Sequence, residues 1–223
     1  MSETHIPYWV EPEELVHLGN TIRDAGEASS SLADIAKSVE SQIANDSQLL
    51  GLENVPLEGP LIAIVNHPCH FDSLLLGDLY RLRPDLRPLY KTSPIALNLP
   101  KDTAVFISKD GQHSNRDDVR AMQEYLKAGG SMLVVPWGDF DSRAYDEVVS
   151  LERATQNVIR YASFNGASVL PISIDAEWGE RLTIPLRRAE INIHEAILLA
   201  QDGLNVPKIN QAVEQLYERY YRT

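Results

Sequence analysis

The sequence predicts an α/β protein: a mostly parallel central sheet flanked by helices, with a small N-terminal helical segment. Three observations predict it. Short apolar runs such as Leu61 to Val65 and Met132 to Val135 alternate with amphipathic stretches of helical period. The runs are continuously apolar, as strands buried on both faces are. The length of 223 residues suffices for one well-cored α/β domain and a helical appendage.

Residues 1–50 read as the helical segment and residues 51–223 as the α/β domain. Trp9, Val10, Leu15, Val16 and Leu18 mark an early short helix and are the better candidates for membrane contact. Ser31-Leu32-Ala33-Asp34 has the form of a capping box, with Asp34 expected to reach back toward Ser31. Leu32, Ile35, Ala36, Val39 and Ile43 then follow at helical spacing. From Pro56 the texture changes. Leu61 to Val65 is a buried strand, Asp72 to Leu82 a helix, and Leu89 to Lys91 and Ala104 to Ser108 are strands. Asn115 to Ala128 is a helix stopped by Gly129-Gly130. Met132 to Val135 is the next strand, Glu152 to Phe164 a helix and Ser168 to Ile174 a strand. Arg188 to Ile193 adds a further strand, and Pro207 opens a final amphipathic helix through Ile209, Val213, Leu216 and Tyr220.

The formal net charge of −12 argues against nucleic-acid binding, which needs a basic footprint, and against broad docking on anionic lipid. A single cysteine rules out a disulfide within the chain and fits a reducing cytoplasm. Met1 to Tyr8 lacks the pattern of a signal peptide, and no apolar run is long enough to cross a bilayer.

The segment richest in chemistry is Asn66-His67-Pro68-Cys69-His70-Phe71-Asp72, between a buried strand and a helix. In an open α/β sheet ligands bind at the carboxyl ends of the strands, where His67 falls. A carboxylate from Asp72 on one ring nitrogen would fix the tautomer and leave the other free to accept a proton. The same residues admit other roles. Asp72 suits a helix N-cap, His67, His70 and Asp72 could ligate a metal, and Cys69 beside two histidines could be a nucleophile.

Beyond that loop, residues from about Val55 to Glu177 carry an ordered series of further blocks. They are Tyr90-Lys91 followed by Pro100, Ala104-Val105-Phe106-Ile107, Tyr125-Leu126-Lys127-Ala128-Gly129 leading into Met132 to Gly138, and Val169-Leu170-Pro171-Ile172. Taken with Asn66-His67 and Asp72, the series resembles the glycerol-3-phosphate and lysophosphatidic acid acyltransferase family, the PlsC-type enzymes. Asn66-His67 with Asp72 looks like that family's Asn-His-x4-Asp block, in which the histidine is the base and the aspartate supports it. The later blocks depart from the pattern. Ser108-Lys109 stands where an arginine is usual, and Trp137 stands where a glutamate is usual. Asp139-Phe140-Asp141 then separates Gly138 from Ser142-Arg143.

The resemblance implies transfer of a fatty acyl group from acyl-CoA or an acyl carrier protein to a hydroxyl of a lysophospholipid or glycerol-phosphate type acceptor. His67 and Asp72 would be catalytic, and Asn66, Lys91, Lys109, Trp137, Gly138 and Arg143 would bind substrate. No metal and no cofactor beyond the thioester co-substrate is implied. The implied partners are the thioester donor, a lipid-like acceptor, an acyl carrier protein and a peripheral membrane contact. The implied location is the cytoplasm or the inner membrane face. The altered blocks favour an alternative, the same chemistry on a neutral lipid, an amino-lipid or a soluble metabolite. Two further alternatives are a non-catalytic acyl-carrier-binding protein and thioester hydrolysis.

Overall fold

The structure, a computed structural model, describes residues 12–29, 31–65, 72–91, 99–100, 102–103, 105–107, 116–134, 162, 165–177 and 186–197. Helix α1 (Pro12–Ala28) is longer than the short helix expected there. Leu18, Ile22 and Ala25 prolong its apolar stripe at helical spacing, and Leu18 and Ile22 are buried. Val16 faces solvent. Trp9 and Val10 lie outside the described residues.

Helix α2 (Leu32–Ile43) begins at Ser31, which is extended, and the Ser31 side chain accepts a bond from the Asp34 backbone N–H. The return half of the expected capping box is different. The Ser31 backbone N–H donates to Ser29 Oγ at 3.1 Å, and Ser29 Oγ donates to the Asp34 carboxylate at 3.0 Å. A serine two residues upstream thus stands between the two partners of the box, because the aspartate side chain is shorter than the usual glutamate.

Strand β1 (Ser47–Leu50) was not expected from the sequence. It ends at Gly51, whose φ of 81° turns the chain off the sheet into a 3-10 turn, Leu52–Asn54. A Cβ at Gly51 would stand 2.1 Å from the Ile193 carbonyl oxygen, so only glycine fits. Asn54 Nδ2 donates to that same oxygen at 2.8 Å and pins the corner.

The remaining elements follow in order: β2 (Leu61–Val65), a 3-10 helix Asp72–Leu76 running into α3 (Gly77–Leu82), β3 (Leu86–Lys91), β4 (Val105–Ile107), α4 (Arg116–Lys127), β5 (Ser131–Val134), β6 (Ser168–Glu177) and β7 (Arg188–Ile193). Helix α4 ends in a paired set of bonds, Gly129 N–H to Leu126 O and Gly130 N–H to Tyr125 O, each 3.0 Å. Gly129, at φ 88°, supplies the left-handed residue this ending requires. Most of the expected helix over 152–164 and all of the expected final helix lie outside the described residues.

The seven described strands form one mixed sheet in the order β1-β7-β6-β2-β5-β3-β4. Strands β2 to β6 run parallel, β7 is antiparallel to β6, and β1 is parallel to β7. The link from β6 to β7 is too short for the crossover that a parallel pair needs, so β7 returns antiparallel. Pro171 lies inside β6, where a proline removes one ladder donor. His194, just past the end of β7, donates its N–H to Pro171 O at 3.0 Å. The missing donor thus falls where the β6–β7 ladder ends.

Strand β2 is buried along its whole length. Leu61, Ala63 and Val65 join a core with Leu18, Ile35, Val39, Leu74 and Leu79 on one face. Ile62 and Ile64 join Leu126, Met132 and Ala162 on the other. Helices α1, α2 and α3 therefore cover one face and α4 the other, the layered arrangement that a parallel sheet requires.

The amino edge of the sheet is held by one buried arginine. Arg83, 3% exposed, pairs with Asp85 through two bonds of 2.9 and 2.8 Å. It also donates to the carbonyls of Pro56 and Gly59 and to Ser131 Oγ. Pro56 and Gly59 precede β2, Asp85 precedes β3 and Ser131 opens β5, so one fork-shaped cation ties the starts of three strands. Burial works against the Asp85 carboxylate, but the Arg83 and Ser131 hydrogen bonds prevail and hold it below the usual range. Tyr125 Oη donates to the Asp85 carbonyl, and the Arg87 guanidinium sits 4.5 Å over the Tyr125 ring.

Candidate active site

The carboxyl edge of the sheet is set by strand register. Val65 of β2 pairs with Ile172 of β6, and Ile64 pairs with Val134 of β5. Leu133 pairs with Pro88 of β3, and Tyr90 pairs with Phe106 of β4. By this register the last described residues of β5, then of β2, then of β3 and β4 fall on three successive rungs, about 6.6 Å of rise in all. Each of these ends leads, in sequence, into a segment that holds expected site residues.

Asn66 is covalently next to Val65, and His67 follows it; both lie outside the described residues. Asp72 opens the 3-10 helix that leads into α3; its backbone is described and its side chain is not. Lys91 is the last residue of β3 and pairs with Ile107, again with its side chain outside the description. Lys109 comes two residues after β4. Trp137 and Gly138 come shortly after β5, and Arg143 follows; all four lie outside the described residues. So do His70 and Cys69, on which the metal and nucleophile alternatives depend. Among the described residues, no cluster of histidine, cysteine and carboxylate side chains is arranged to hold a metal.

The segment from Asp72 to Leu82 is fixed by its apolar residues. Leu74, Leu75, Leu76 and Leu79 are all buried, so the helix is locked onto the core. The first turn is 3-10 and tightens into an α-helix only at Gly77, a detail the apolar spacing alone does not distinguish.

One polar pair near this edge went unrecognised in the sequence. Ser173 lies one residue past Ile172 on β6 and is buried, and its Oγ is 3.0 Å from His194 Nε2. The pair depends on an antiparallel β7, which a parallel sheet would not bring to β6. Its immediate role is to satisfy a buried hydroxyl.

Among the described residues, no helix is long and apolar enough to cross a membrane. No protein-family model matches the sequence, and no curated protein matches it. A solved structure does match in fold: the crystal structure of the 1-acyl-sn-glycerophosphate (LPA) acyltransferase, PlsC, from Thermotoga maritima. The likeness has a TM-score of 0.53 and covers 94% of this chain and 81% of that one, at 18% sequence identity. The mostly parallel sheet with its N-terminal helices is therefore an acyltransferase-like fold.

Proposed function

We propose that this chain is an O-acyltransferase that moves a fatty acyl group from acyl-CoA or an acyl carrier protein to a hydroxyl of a lysophospholipid or glycerol-phosphate type acceptor. The observation that carries the proposal is the common carboxyl edge. Strands β2, β3, β4 and β5 run parallel, so their carboxyl ends share one edge, and the sequences that follow them hold Asn66-His67, the stretch after Lys91, Lys109, and Trp137-Gly138. The fold shared with a lysophosphatidic acid acyltransferase supports it.

In the proposed reaction, His67 accepts the proton of the acceptor hydroxyl while its oxygen bonds to the thioester carbonyl carbon. Asp72 holds the imidazole and stabilises the imidazolium. The tetrahedral intermediate then collapses, the C–S bond breaks, and the thiolate recovers the proton from His67. The products are an ester and a free thiol. Lys91, Lys109 and Arg143 hold an anionic acceptor, Asn66 and Gly138 line the site, and the early helix, whose Val16 is exposed, makes a peripheral membrane contact.

A second reading, a non-phosphate acceptor, is favoured by a specific observation. Trp137 stands in the third block, and Asp139 and Asp141 follow it. Carboxylates beside a dianion oppose its binding, and an indole offers an apolar face for a chain or a cationic head group. The test is thiol release from an acyl thioester with lysophosphatidic acid, a zwitterionic lysolipid and a neutral alcohol, with mass spectrometry of the product. An acylated acceptor supports transfer, and the preferred one decides between the two readings. Free fatty acid alone would show hydrolysis, and no thiol release with any acceptor would end the proposal.

A further inference from the structure

We draw no further inference here: the strongest candidate, the polar sheet face of β1, β7 and the carboxyl-terminal half of β6 on which Gln48, Leu50, Asp175 and Arg188 are exposed, carries none, because nothing in the structure shows what covers it.

Discussion

The two edges of the sheet are built on opposite terms. At the amino edge, Arg83 ties together the approaches to β2, β3 and β5, and every bond it makes is to the protein itself. At the carboxyl edge, the parallel strands β2, β4 and β5 lead into the sequences that hold His67, Lys109 and Trp137. One edge spends its polar groups on holding strands together, and the other leads into the polar groups proposed for chemistry. A parallel sheet allows this division because all of its strands begin on one side and end on the other. Substitutions at the two edges should therefore separate stability from turnover.

The largest expected effect is at the carboxyl edge. His67→Ala should lower turnover about a hundred- to ten-thousand-fold, the usual range for loss of a general base. Its thermal midpoint should match the parent's. A variant that retains turnover, measured by thiol release, would remove His67 from the mechanism.

Next comes the amino edge. Arg83→Met should destabilise the fold by about 3–5 kcal/mol, because it leaves the Asp85 carboxylate, the Pro56 and Gly59 carbonyls and the Ser131 hydroxyl without their cation. The value belongs toward the lower end, since the Asp85 side chain is 36% exposed. Urea unfolding measures the loss, and turnover per folded molecule should be unchanged. A large drop in turnover with intact stability would show that the edges are not independent.

The smallest effect is one of pH. The Asp85 carboxyl is held below its usual range in the folded protein. Its contribution is fully present above the unfolded carboxylate value of about 3.9 and is lost as pH falls through the depressed folded value. The stability gap between the parent and Asp85→Asn should be widest near neutral pH and close in acid. A gap that stays constant from neutral pH down to acid would mean that Asp85 acts through shape alone.

The sequence revealed most where burial is complete. The strand Leu61–Val65 was read with its observed bounds, because a run buried on both faces is apolar at every position. The strand Arg188–Ile193 was read with its bounds too, although its direction was not. Half-exposed elements were read less well. Strand β1 has only two half-buried positions, Ser47 and Leu49, and its partner lies at the far end of the chain. Strand β6 continues past the expected Ile174 through Asp175 and Glu177, which face solvent and look like loop. The candidate loop was found by residue type and spacing. The strand order then added what a motif cannot carry, that the strands leading into the motif segments are parallel and share one carboxyl edge.

The strand order also governs how the chain is made. Strand β2 lies in the middle of the sheet, yet both of its neighbours come later, β5 beginning at Ser131 and β6 at Ser168. At a synthesis rate of about 5–20 residues per second, β2 leaves the ribosome several seconds before either partner exists. Through that interval an unbroken apolar segment, Leu61-Ile62-Ala63-Ile64-Val65, has no strand to pair with. The helices α1 and α2 are made before it, and the covering they give one face of β2 in the finished protein can begin before the sheet does.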